Sequence, residues 1–189
     1  MASIDWSTKI SAYLNLGADA TKERGAILAS IGSGVQDAIE RRIGRHLDVQ
    51  MHTDVLDGTG KTVLSLPWDP VVSVTSVSVN GSSLTVSSPN TNSYPPTTII
   101  VRDFCTLVRT DGEVFPEGVA NVIVVYSAGF SVPPDAIVTA GVQWGAAIFR
   151  DRDRVGIAST GVAGQTTSFT RELPGYVERA VAAYTRWWR

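Results

Sequence analysis

The strongest hint of chemistry in the chain is the run Asp57 to Thr62, DGTGKT. A phosphate-binding loop ends in Gly-Lys-Thr, and its backbone N–H groups cradle a nucleotide phosphate. That loop needs a first glycine five residues before Gly60, where Val55 stands, and a helix after the threonine. Here VLSL follows and reads as strand, so DGTGK is expected to be a tight hairpin turn. The chain has two histidines, His46 and His52, and one cysteine, Cys105. Their spacing matches no zinc site, and no metal or cofactor is expected. Cys105 lies in DFCTLV and reads as a buried structural thiol. No serine has a histidine beside it, and GxSxG does not occur, so no activated nucleophile is expected.

The run Arg150, Asp151, Arg152, Asp153, Arg154 spaces two carboxylates two residues apart. Such a pair could hold a metal or move a proton. Each carboxylate already has arginine neighbours, so a solvated or interfacial ion-pair run is the better reading. No catalytic constellation results, and the protein is not expected to be an enzyme. The C-terminal YTRWWR places Tyr184, Arg186, Trp187, Trp188 and Arg189 together. Two readings stay open for it. The tryptophans could fold back on the protein, or they could anchor a partner, since Trp, Tyr and Arg dominate interface hot spots.

The elements that must position these residues follow from periodicity. Within Gly25 to Leu47, apolar residues at Ile27, Leu28, Ile31, Val35, Ala38, Ile39 and Ile43 share one helical face. Gly44 is placed to end that helix, and Arg41, Arg42 and Arg45 suit its negative dipole end. Gly32 and Gly34 interrupt it at about 1 kcal/mol each, through a close neighbour or a kink. Ser7 to Leu16 reads as a shorter helix capped by Ser7, with GADATKE as the link.

From His46 to Phe130 the pattern is strand and turn. LDVQMHTDVL alternates loosely. Val72 and Val74 share one parity and Val77 and Val79 the other, which requires a bulge or bend near Thr75 and Ser76. Asn80-Gly81 and Thr110-Asp111-Gly112 are turns, and Ser87 to Thr98 is an exposed loop. Ile99–Val101 and Phe104–Val108 read as one interrupted strand. NVIVVY, Asn121 to Tyr126, is nearly continuous apolar and is expected to be the most buried strand.

Helix returns at Pro133-Pro134-Asp135, with Ile137, Ala140, Trp144, Ala147 and Ile148 expected to face inward. Residues 155–170 lack periodicity and are expected to be mobile, or ordered by a partner. Pro174 opens a last helix with Val177, Val181 and Tyr184 along one side. The fold class is α+β, a helical bundle from N- and C-terminal helices with an inserted antiparallel β-rich module. The divisions are a helix hairpin at 1–45, a β module at 46–131, and C-terminal helices with an arm at 132–189, including the loop 151–170.

Composition agrees. The chain of 189 residues is 43% hydrophobic and 18% charged, with net charge −2. That describes a globular protein without a basic field for nucleic acid. One cysteine excludes an internal disulfide, and no apolar run is long enough for a bilayer. MASIDWSTKISAY lacks the basic start and apolar block of a signal peptide, so synthesis in the cytoplasm is expected.

Three stretches resemble the head–tail connector, or adaptor (head-completion), proteins of long-tailed bacteriophages. They are the helix end IERRIGRHL, the strand LPWDPVVSVTSVSVNG, and the strand-to-helix passage NVIVVYSAGFSVPPDAIVTAGVQW. LPGYVERAVAAYTRW resembles the family's closing helix. Ile43 stands where the family pattern usually has threonine. The resemblance implies a virion structural protein of the neck, between capsid and tail. It would form a homo-oligomeric ring, a dodecamer, under the portal protein. Genomic DNA would pass through the lumen without sequence-specific binding, and a stopper or tail-completion protein would dock below. By the same resemblance Tyr184, Arg186, Trp187, Trp188 and Arg189 bind the portal. The 151–170 loop, beginning in Arg150 to Arg154, sits at a subunit interface or faces the channel. Alternative readings are another neck ring, such as a stopper or tail terminator, and a non-catalytic β-sandwich binding module using the Ser87–Thr98 loop.

Overall fold

The structure, a computed structural model, describes residues 4–86, 98–152, 159–162, 165–168 and 174–185. The chain divides into two compact units, one of residues 45–132 and one of residues 2–44 with 133–189. The first is built on strands and the second on helices, so the α+β class holds.

The helical unit contains α1 (Trp6–Tyr13), α2 (Ala18–Ile43), α3 (Asp135–Asp151) and α4 (Gly175–Ala182). Asp5, not Ser7, caps α1: its carboxylate accepts from the Thr8 N–H at 3.0 Å and from the Ser7 hydroxyl at 2.8 Å. Helix α2 begins at Ala18, so most of the expected link GADATKE is helical. Ala18, Ala20, Lys22 and Glu23 are strong helix formers, Asp19 sits in the first turn at the positive dipole end, and the Thr21 hydroxyl donates to the Gly17 carbonyl at 3.0 Å. The helix ends at Gly44 with φ 70°, and the Gly44 N–H donates to the Glu40 carbonyl at 2.8 Å. Its buried face is Leu28, Gly32, Val35, Ile39 and Ile43.

Gly32 has a specific cause: a Cβ there would collide with the Cβ of Trp6, which is buried. The buried stripe of α3 runs through Ile137, Ala140, Gly141, Gly145 and Phe149, and Ile148 is 38% exposed. Of the expected inward face, Ile137 and Ala140 are buried, Trp144 and Ala147 are half-buried and Ile148 is exposed, so the stripe departs from expectation only toward the C-terminal end of α3. Gly141 and Gly145 admit the Trp6 indole and the Ile10 side chain, so the small residues face the core. Val177 and Val181 of α4 are buried. Within 155–170 the chain pairs as a hairpin, β8 (Ser159–Val162) antiparallel to β9 (Gln165–Ser168), where the sequence shows no periodicity.

The other unit contains β1 (Gln50–Gly58), β2 (Val63–Ser65), β3 (Val71–Val79), β4 (Ser82–Val86), β5 (Thr98–Arg102), β6 (Thr106–Arg109) and β7 (Gly118–Ala128). They form a seven-stranded sheet in the order β1-β7-β3-β4-β5-β6-β2. Every pairing is antiparallel except β4 with β5. The parity change in β3 is resolved by bulges between Val71 and Ser73 and between Val74 and Ser76. Asn80 and Gly81, at φ 49° and 80°, make the β3–β4 turn. DGTGK is not a hairpin, because β1 and β2 are not neighbours in the sheet. The supposed interrupted strand is a hairpin, β5 and β6 folded about Asp103 and Phe104. The expected loop at Ser87–Thr98 falls outside the described residues except for Thr98, which opens β5.

One face of the sheet carries the core: Leu64, Leu66, Val77, Ile99, Leu107, Phe115, Val122, Val124 and Tyr126. Each fully buried Leu, Ile or Val side chain contributes roughly 1.5–3 kcal/mol. Strand β7 lies between β1 and β3, yet only alternate residues are buried, and Ile123 is 42% exposed. NVIVVY is therefore covered on one face, not two.

Candidate interaction surfaces

The DGTGKT segment connects β1 to β2 and cannot hold phosphate. Gly60 N–H donates to the Phe115 carbonyl at 2.8 Å, and the Lys61 carbonyl accepts from Phe115 N–H at 2.8 Å. The backbone donor at Gly60 is spent on pairing, and strand follows instead of a helix. No group of acidic, histidine or cysteine residues able to hold a metal occurs among the described residues. Cys105 is half-buried, 3.8 Å from the Thr106 hydroxyl, because it belongs to the exposed β5–β6 turn and not to a strand.

The two histidines meet. The Trp68 ring stacks 4.3 Å from His46 and 5.2 Å from His52, and the His52 ring lies 5.6 Å from Tyr126. Tyr126 donates its hydroxyl proton to Asp54 at 2.6 Å and accepts from the Trp68 N–H at 3.3 Å. Beside this stack Arg45 pairs with Asp69 at 3.0 Å. Desolvation, followed by the nearby His46, lowers the His52 pKa from its usual 6.5, and Asp54 opposes the shift. The Nε2 of His52 has no hydrogen-bond partner among the described residues. The rings stack on one another and the Tyr126 hydroxyl is engaged by Asp54, so the arrangement reads as a structural clamp joining Arg45 and His46 to β1, β7 and the segment before β3.

On the helical unit, an open cleft of about 560 Å³ runs between Ile4–Ser7 and α2, lined by Ser33, Gln36, Asp37 and Glu40. Gln36 accepts from the Trp6 indole at 2.7 Å and donates to Glu40 at 2.9 Å. Asp37 pairs with Arg41, and Asp5 is held to a pKa of about 2 by its capping bonds. The Trp6–Gln36 bond joins α1 to α2, while Asp37 and Glu40 are engaged within α2 and Asp5 within the cap of α1.

The sequence-derived arm and loop residues are only partly described. Tyr184 is half-buried in the turn after α4. Arg150 and Asp151 are exposed at the end of α3, and the Arg152 guanidinium lies 4.2 Å from the Phe149 ring and donates to the Phe149 carbonyl at 3.0 Å. Asp153, Arg154, Arg186, Trp187, Trp188 and Arg189 fall outside the described residues.

Two surfaces escaped the sequence reading. The outer face of β1 and β7 pairs Met51 with Ser127, Thr53 with Val125 and Val55 with Ile123. Met51 is 75% and Val55 56% exposed. Phe104, at φ 62° in the β5–β6 turn, is 73% exposed. Alternation in β1 signals the first surface; nothing local signals the second.

No family model matches the sequence, and no curated protein matches it. Solved structures do match over nearly the full chain. The fold is shared with chains of gene transfer agent particles. A chain from the neck of an empty particle computed with C6 symmetry is 19% identical, with TM-score 0.58, covering 98% of this chain and 93% of its own. One from the neck of a native particle with C12 symmetry is 16% identical, with TM-score 0.57, covering 98% and 92%. A chain of the native virion is 17% identical, with TM-score 0.57, covering 96% and 89%. No helix among the described residues is long and apolar enough to cross a membrane.

Proposed function

We propose that this protein is a structural neck subunit of a phage or phage-like particle, an adaptor that forms a ring under the portal protein. The observation that carries the reading is the likeness, over 98% of the chain, to a chain from a particle neck with C12 symmetry. The ring, a dodecamer, extends the DNA channel and presents a platform to the stopper or tail-completion protein. The net charge of −2 suits a channel through which DNA slides, since gripping many phosphates would hold it. In this reading the protein acts in the virion neck and performs no chemistry. Tyr184, Arg186, Trp187, Trp188 and Arg189 bind the portal, with the two tryptophans as anchors. Arg150, Asp151, Arg152, Asp153 and Arg154 lie at a subunit interface or the channel.

Negative-stain electron microscopy of this protein mixed with the portal of the same genome tests the role. A second ring on the narrow end of the portal is the expected result. A bare portal at protein concentrations well above micromolar refutes the adaptor role, and a ring found at another level of the neck assigns the protein to a stopper or tail terminator. Trp187→Ala with Trp188→Ala is expected to abolish docking; unchanged docking removes the anchor assignment.

A further inference from the structure

We infer that Phe104 of one subunit docks on the outer β1/β7 sheet face of a second copy of this chain, making the junction between neighbours in the ring. The inference rests on the ring reading above and names the surfaces that close it.

The face is the first half of the argument. A strand as apolar as NVIVVY is built to be covered on both sides. In this fold only its inner side is covered, by Val122, Val124 and Tyr126. On the outer side Ile123 stands opposite Val55, and Val125 opposite Thr53, with Met51 next along β1. No ionisable side chain interrupts those positions, because His52 and Asp54 point to the other face with Tyr126 and Val124. Strand β1 is also an edge of the sheet. Asp57, exposed two residues beyond Val55 and accepting from the Ala120 N–H at 2.6 Å, bounds this stretch, and an exposed apolar stretch on an edge strand is a surface proteins normally cover. Met51 is a side chain that adapts to an irregular partner.

The knob is the second half. Asp103 and Phe104 have φ 51° and 62° in succession, a left-handed pair that Asn and Gly adopt easily and an aromatic residue does not. The strain is maintained by the surrounding backbone: the Phe104 carbonyl accepts from Val71 N–H at 2.6 Å and the Cys105 carbonyl from Leu66 N–H at 2.7 Å. A strained turn that holds a ring 73% exposed gains nothing from burial within this chain. Strain of this kind persists where function uses the position.

The occupant follows from finding both features in one compact unit. A closed ring of identical subunits uses a heterologous interface, in which each subunit offers two unlike surfaces that fit each other. A projecting aromatic ring and a flat apolar stretch bounded by Asp57 are such a pair.

The test uses the full chain with the portal, read by electron microscopy and mass photometry, for wild type, Phe104→Asn and Val55→Asp. Asparagine suits the positive φ, so Phe104→Asn is expected to raise the melting temperature of the free protein while reducing ring assembly at least about tenfold. Val55→Asp is expected to lose rings with an unchanged melting temperature; if it unfolds, Met51→Asp replaces it. An equimolar mixture of the two variants retains one intact knob and one intact face, so it is expected to yield dimers but no rings. Rings from both variants at wild-type concentrations, or no dimers from the mixture, overturn the inference while the adaptor reading stands. Failure of wild type to form a ring overturns both.

Discussion

Trp6 occupies the space that a side chain on Gly32 would need. The indole also reaches over Gly141, whose added Cβ would lie 2.7 Å from the ring, so a single tryptophan is seated between α2 and α3. Its indole N–H donates to Gln36 at 2.7 Å. The glycine that weakens α2 as an isolated helix is thus what lets α1 pack on it.

Gly32 and Gly34 should therefore respond oppositely to alanine. Gly32→Ala is expected to destabilise the free protein by about 1–3 kcal/mol, because the helix gain is outweighed by overpacking against Trp6. At Gly34 nothing lies within 4 Å of an added Cβ. Gly34→Ala should stabilise by up to about 1 kcal/mol from helix propensity alone. Urea titrations of the two variants beside wild type check both signs.

Arg109 and Asp111 form an ion pair at 2.6 Å with side chains only 10% and 7% exposed, and Arg109 also donates to the Val114 carbonyl at 2.9 Å. Hydrogen bonds from Arg109 are the main reason the Asp111 pKa lies below its usual 3.8. Asp111→Ala leaves a largely buried guanidinium without this carboxylate and is expected to cost about 3 kcal/mol. Because the folded state holds Asp111 ionised, its contribution is present above 3.8 and is lost as pH falls through the lowered value. Acid titration of unfolding in wild type and Asp111→Ala should show that loss only in wild type.

His52 gives the opposite end of the pH range. Its folded pKa is depressed by burial and by His46, so the unfolded chain binds the proton more readily. Stability from the neutral imidazole is full above 6.5 and declines as pH falls below it toward the folded value. The urea midpoint at pH 5.5 should be lower than at pH 7.5, and His52→Gln should flatten the difference. A midpoint that rises on acidification would contradict the assigned direction.

Local chemistry determined much of this protein in advance. Gly44 ends α2 because only a left-handed residue fits there, Asn80-Gly81 turns β3 into β4, and two parities of valine demand a bulge. Those signals act over a few residues and needed no partner from afar. The α+β layout follows from them, since helical and strand periods do not interconvert. Tertiary structure decided the rest. The rotation of α3 depends on which glycines Trp6 and Ile10 enter, and that is set by helix packing rather than by spacing along α3. The strand order separates β1 from β2 and seats β7 between β1 and β3, contacts between segments far apart in the chain. The meeting of His46, His52 and Trp68, and the open outer face of β1 and β7, likewise exist only once the sheet has formed. A sequence records which side chains favour burial; the pairing of distant strands decides which of them find cover.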